Sequence, residues 1–145
     1  MHGSLRICKI AGITISIHVS WIIILVLLTW SLATGWFPVF SPGWSTVTYW
    51  IVSLFAALLL FVSVLLHELA HSLVVRMRGL PVKNITLFIF GGVSNIQQEP
   101  QSPDVEFQMT FVGPLTSFLI GGVSYLLSKT YGNVWILFTI VLVAA

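Results

Sequence analysis

The chain has 145 residues, of which 57% are hydrophobic and only 7% are charged, and its formal net charge at pH 7 is +2. Soluble domains carry about 25% charged residues, so this composition excludes an ordinary soluble protein and predicts an integral membrane protein. The small net charge gives no reason to expect nucleic-acid binding, and a single cysteine, Cys8, excludes a disulfide within these residues.

The first apolar run extends over residues 18–33, and with the preceding GITISI it is long enough for a membrane span of about 20 residues. We predict this span over about residues 15–34. A signal peptide is the alternative, with Arg6 and Lys9 as its basic region, but the run is long for one and another span follows closely. The uncharged loop that follows is rich in aromatic residues, which suit a membrane–water interface.

The second apolar run, about residues 47–78, is the longest in the chain. It ends at Arg76 and Arg78, which are followed by Gly79 and Pro81. Basic residues followed by glycine and then proline are typical of a helix end. We therefore predict a second membrane helix that stops at this point.

The rest of the chain contains three further elements. Residues 82–98 combine β-branched and aromatic residues with a glycine pair, which predicts a short β-hairpin. Residues 109–128 predict a third span, rich in small residues that allow close helix packing. Residues 134–145 are too few to span, so we expect the sequence to stop inside a fourth helix and to be part of a longer protein. The predicted fold class is an all-α polytopic membrane protein with a small β-hairpin insertion after the second transmembrane helix.

Five of the six basic residues fall on one side of the membrane in this arrangement: Arg6, Lys9, Arg76, Arg78 and Lys83. Because basic residues accumulate on the cytoplasmic side, we predict that the N-terminus and the β-hairpin are cytoplasmic. Lys129 falls on the opposite side.

The sequence HELAH, residues 67–71, lies near the end of the second span, where ionisable side chains need a functional reason. On an α-helix His67 and His71 are rotated by about 40° and separated by about 6 Å, so both imidazoles can bind one zinc ion. Glu68 can take a proton from a zinc-activated water and give it to the departing amine, which is peptide hydrolysis. Hydrogen bonding between helices and a proton or ion pathway are the alternatives.

Small and hydroxyl-bearing residues dominate the face of the second span that carries His67: Ser53, Ala56, Leu60, Ser63 and Val74. They leave space for a helix, a water path or a substrate, although ordinary small-residue packing explains each of them as well. Because His71 lies about 7.5 Å along the axis from Arg76, we expect the metal inside the bilayer near its cytoplasmic edge.

Four stretches occur in a fixed order: GITISIHVSW (12–21), HELAHS (67–72), TLFIFGGVSNI (86–96) and SPDVEFQMTFVGPLTS (102–117). In this order and spacing they resemble the site-2 proteases, a family of intramembrane zinc metalloproteases. The resemblance covers nearly all of the chain. It implies an endopeptidase that cleaves membrane-spanning protein substrates in regulated intramembrane proteolysis, with Zn2+ bound by His67 and His71 and with Glu68 as catalytic base.

One feature of that family has no match in this sequence. The family's third zinc ligand is an aspartate in a Leu-Asp-Gly motif, whereas Asp104, the one aspartate here, lies in SPDVEF. We expect the missing ligand beyond Ala145, and therefore expect this 145-residue piece to bind zinc weakly and to be inactive alone.

Three alternatives to an active site-2 protease remain: a transporter or channel, an inactive relative that binds membrane proteins, and another HExxH membrane protease. The hairpin and the sequence FGG argue against the last of these.

Gly91 and Gly92 are candidate substrate-binding residues. They would let a substrate backbone approach an exposed strand edge, which could hold it extended by strand addition. A tight hairpin turn is the competing explanation. Elsewhere, His18 is expected to bond to backbone at the membrane interface rather than to approach the metal, and Pro114 to lie near the first turn of the third span.

Overall fold

The computed structural model describes residues 4–88, 91–96 and 102–131. In chain order its elements are β1 (Ser4–Ile10), β2 (Ile13–His18), α1 (Ser20–Ser31), a π-helical turn (Leu32–Trp36), α2 (Phe37–Phe40), α3 (Thr46–Met77), β3 (Val82–Phe88), β4 (Gly91–Ile96) and α4 (Pro103–Tyr131). Long apolar helices with a β-hairpin after the second of them confirm the predicted fold class. The predicted fourth span, residues 134–145, lies outside the described residues.

Three helical segments in the described part of the chain are long and apolar enough to cross a membrane: Ser20–Phe40, Thr46–Met77 and Pro103–Leu126. Many of their large hydrophobic side chains point outward, including Phe55 and Phe118. At 1.5 Å per residue α3 is about 48 Å long, which exceeds the roughly 30 Å hydrocarbon core. The helix must therefore tilt or project beyond the core.

The first membrane-capable helix begins at Ser20, not near residue 15, because the residues before it form β2. Ile13, Ile15 and Ser16 are buried and Thr14 is half-buried, so the alternation of strand faces holds over residues 13–15 and ends at Ser16. His18 is the last residue of β2, just before α1. Its Nδ1 accepts a hydrogen bond of 3.2 Å from the backbone N–H of Ser20, the first residue of that helix.

The segment after residue 34, predicted as a loop, is helical as far as Phe40. The π-helical turn leads directly into α2, and both of its flanking residues have right-handed helical backbone angles. Pro38 lies in the first turn of α2, the part of a helix in which proline is best tolerated.

α3 begins and ends at clear signals. Ser45 precedes it and its Oγ accepts a hydrogen bond from the N–H of Thr48, which satisfies one of the unpaired donors of a helix N-terminus. Gly79 follows its C-terminal end with a φ of +80°, the left-handed conformation that glycine adopts most easily. The helix stop predicted between Arg76 and Pro81 is therefore observed.

α4 starts at Pro103, six residues earlier than expected for the third span. Proline suits the first helical position, and Asp104 and Glu106 carry negative charge into the first turn, where the helix dipole stabilises it. As a result Pro114 lies inside the helix rather than in its first turn. It has no N–H to donate to the carbonyl of Thr110, which weakens the helix locally.

The four strands form one sheet in the order β1-β2-β3-β4, and the sequence had indicated only the last two. β1 and β2 are antiparallel, β2 and β3 are parallel, and β3 and β4 are antiparallel. Ile13, Val82 and Ile85 of the sheet share a buried cluster with Val75 of α3. The sheet therefore packs on the C-terminal half of α3, the half that contains HELAH.

Candidate metal centre

His67 and His71 lie on one face of α3 with their Nε2 atoms 3.1 Å apart. Two nitrogen ligands of a tetrahedral zinc ion, each at 2.0–2.1 Å, would be about 3.3 Å apart. The observed separation is within a few tenths of an ångström of that value. The two side chains therefore present a nitrogen pair with the spacing that one zinc ion requires.

The other ring nitrogen of each histidine contacts α4. Nδ1 of His67 lies 2.8 Å from Oγ of Ser117, and Nδ1 of His71 donates to the backbone carbonyl of Met109. The histidines thus do form hydrogen bonds between helices, but they use Nδ1 for them. Both Nε2 atoms remain directed toward each other. Metal-ligating histidines are normally held in the same way, by a hydrogen bond from the other ring nitrogen to an outer partner.

Gly113 of α4 packs directly against the imidazole rings of His67 and His71. A Cβ atom built on Gly113 would overlap Nε2 of both His67 and His71. The absence of a side chain at this one position allows the two rings to pack this close to α4.

Glu68 lies against β4. A Cβ atom on Gly92 would overlap Cγ of Glu68 and lie 3.2 Å from its Cδ, so the two residues are in close contact. Gly92 pairs with Leu87 and Gly91 with Phe88 in the β3–β4 ladder. The two glycines are therefore the first residues of β4 in the described part of the hairpin.

Other residues singled out in the sequence have simpler surroundings. His18 bonds to the backbone of Ser20, as expected, and its ring centroid lies 5.1 Å from that of Phe88. Asp104 is exposed in the first turn of α4. Within the described residues no group of three His, Cys, Asp or Glu side chains could hold a metal ion.

The face of α3 that carries His67 is buried at its small residues. Ser53, Ala56 and Ser63 are buried, whereas Leu60 and Val74 are half-buried. The hydroxyls of Ser53 and Ser63 are buried and have no hydrogen-bond partner among the described residues.

Comparison with known sequences gives one consistent family. The sequence model described as Peptidase family M50 matches residues 55–140, more than half of the chain. Rip3 of Mycobacterium tuberculosis, whose name describes a zinc metalloprotease, is 37% identical over 134 residues, which are 92% of this chain and 34% of that protein. A zinc metalloprotease of Methanocaldococcus jannaschii is 34% identical over 131 residues, which are 90% of this chain and 34% of that protein.

Comparison with solved structures agrees. The site-2 protease from Methanocaldococcus jannaschii matches with a TM-score of 0.63 and 29% sequence identity, over 95% of this chain and 62% of that one. The present chain spans about a third of the length of the curated relatives that it matches.

Proposed function

The chain belongs to peptidase family M50, and from that premise we propose that the protein is an intramembrane zinc metalloendopeptidase that cleaves membrane-spanning protein substrates. One observation carries the proposal: the Nε2 atoms of His67 and His71 converge at 3.1 Å on a membrane-capable helix, next to Glu68. The resemblance to site-2 proteases seen in the sequence is confirmed. The alternatives of a transporter or channel and of an inactive binding protein receive no support from these matches.

His67 and His71 would hold the zinc ion through Nε2. When bound, zinc supplies a Lewis acid that makes a water molecule nucleophilic near neutral pH and polarises a carbonyl group. A catalytic zinc site normally has three protein ligands. By the family resemblance the third is an aspartate of a Leu-Asp-Gly motif, which these 145 residues lack, so we expect weak zinc binding by these residues alone.

Glu68 is the proposed general base. It takes a proton from the attacking water and then gives one to the departing amine, the two proton transfers that hydrolysis of a peptide bond needs. Its position in sequence, directly after the proposed ligand His67 on the same helix, supports this role. Its contact with Gly92 limits the directions in which the carboxylate can turn.

β4 supports a role for Gly91 and Gly92 in substrate binding. β4 is an edge strand of the described sheet, and it begins at these glycines. A substrate segment that adds to this edge would be extended, with its peptide bonds exposed. Because Gly92 contacts Glu68, such a segment would pass close to the proposed base.

The N-terminus and the β-hairpin are proposed to be cytoplasmic. Arg6 and Lys9 lie on β1, and Arg76 and Arg78 lie at the C-terminal end of α3. Arg76 donates a hydrogen bond to the backbone carbonyl of Ala11, so these basic residues gather at one end of the protein. The positive-inside rule then favours the cytoplasm for that end.

The deciding experiment compares the full-length protein with its Glu68→Gln variant in detergent, on a set of single-span membrane substrates. We expect cleavage by the wild type to stop on chelation, and the variant to be slower by about 10²–10⁴-fold, the usual contribution of a general base. Zinc content should be unchanged, since Glu68 is not a ligand. Equal cleavage by both proteins would contradict the role of Glu68, and chelator-resistant cleavage would contradict the metal.

The same assay tests the strand edge. Gly91→Val should slow cleavage while leaving zinc content and thermal stability near those of the wild type, because a branched side chain obstructs an approaching backbone. Unchanged cleavage by a folded variant would remove Gly91 from the substrate path.

A further inference from the structure

We infer that Ser117 is a positioning residue of the metal centre, whose hydroxyl holds the His67 ring so that Nε2 can bind the metal. The inference rests on the proposed zinc site. It is carried by the 2.8 Å contact between Ser117 Oγ and His67 Nδ1 and by the burial of Ser117, which is 2% exposed.

The hydrogen-bond chemistry of His71 fixes its protonation pattern. A backbone carbonyl can only accept, so the Met109 carbonyl requires a proton on Nδ1 of His71. In a neutral imidazole the other nitrogen then carries a lone pair. Nε2 of His71 is thereby held ready for a metal by the backbone of α4.

His67 has a partner of a different kind. When the ring proton of neutral His67 is on Nε2, its Nδ1 accepts a hydrogen bond from Ser117. Metal binding requires the opposite tautomer: the Nε2 proton leaves to solvent, Nδ1 gains one, and Ser117 accepts.

A serine hydroxyl serves both arrangements because it can rotate to donate or to accept. Alanine provides neither function. The site is also too buried for bulk water to replace the hydroxyl freely, since Ser117 and Gly113 are both buried. Met109, Gly113 and Ser117 are each four residues apart, so one face of α4 supplies both histidine partners, with Gly113 packed against the rings between them.

The test measures metal affinity directly. The full-length protein is titrated with Co2+, followed by its visible absorption and by competition with a chelator, for Ser117→Ala, Ser117→Thr and the control Ser124→Ala. Ser124 is a buried serine two turns further along α4. We expect Co2+ binding 10–100-fold weaker in Ser117→Ala, the usual effect of losing an outer partner, with recovery in Ser117→Thr and no change in Ser124→Ala.

Equal affinities of Ser117→Ala, Ser124→Ala and the wild type would overturn the inference while leaving the proposed function intact. No Co2+ binding by the wild type would overturn the metal centre and this inference together. If Ser117→Ala does not fold, a measurement on the wild type alone replaces it. The ¹⁵N chemical shifts of the histidine ring nitrogens are recorded by NMR for the zinc-loaded wild type. They should show a protonated Nδ1 and a ligating Nε2 at His67, and ligation through Nδ1 would overturn the role of Ser117.

Discussion

Gly113 lies where the backbone of α4 comes closest to the two imidazole rings. Any Cβ atom at this position would overlap Nε2 of both His67 and His71. Each ring is already hydrogen-bonded to α4 through its other nitrogen. The rings therefore have little freedom to move aside.

We expect Gly113→Ala to lower zinc content and Co2+ affinity by at least about 10-fold, comparable with the loss of an outer partner. Gly122→Ala is the matched control, because a Cβ there has no neighbour within 4 Å and alanine favours a helix by about 1 kcal/mol over glycine. Metal analysis of purified full-length variants checks this. Equal zinc content in the two variants would show that α4 can move away from the histidines.

Some residues of the proposed metal centre can be predicted from the sequence and others cannot. His67, Glu68 and His71 lie within one helical turn of each other, so the period of the helix alone predicts their shared location. Ser117 and Met109 lie 50 and 38 residues away from their histidines. Their roles depend on which faces of α3 and α4 meet, and that is decided by packing over the whole length of both helices.

At the scale of elements, the β1–β2 turn connects the sheet to the C-terminal end of α3. Its two residues, Ala11 and Gly12, have φ values of +47° and +78°, the pattern of a type I′ hairpin turn. Alanine in the left-handed region costs roughly 1–2 kcal/mol. Arg76 donates to the Ala11 carbonyl and its guanidinium contacts the turn at Gly12, which helps to hold the strained turn.

Ala11 therefore allows a test in which two substitutions have opposite effects. Ala11→Asn should raise the unfolding temperature in detergent by an amount that corresponds to about 1 kcal/mol, because asparagine tolerates positive φ. Ala11→Val should lower it, because a β-branched residue does not. Fluorescence-monitored thermal unfolding measures both, and shifts of the same sign would show that the turn has a different backbone conformation.

β2 shows why the sequence left part of the fold undetermined. ITISIH is both alternating and apolar, and it directly precedes an apolar helix, so it fits a strand and the start of a span equally well. Its parallel partner is β3, where Thr14 pairs with Asn84. Such pairing is set by contacts far apart in the chain. The start of α4 also differs from the predicted residue 109, although Pro103 and Asp104 suit the first turn of a helix.

Across the whole molecule, the two ends of the helices have different chemistry. One end has the sheet, the two histidines and the described basic residues on β1 and α3. The other has α2 and an uncharged turn, where Phe37, Trp44 and Tyr49 form an aromatic cluster. Aromatic residues without charge suit a membrane–water interface, and the basic end suits the cytoplasm.

Cys8 makes the proposed orientation measurable. It is exposed on β1 and is the only cysteine in these 145 residues. In the full-length protein, a membrane-impermeant maleimide should label it in inverted membrane vesicles but not in intact cells, with Cys8→Ser giving the background. The double variant Cys8→Ser/Thr46→Cys moves the thiol to the first turn of α3, at the aromatic end, so its labelling should be reversed. Labelling of Cys8 in intact cells would place the sheet and the metal centre near the outer face, and substrates would then have to reach the proposed base from that side.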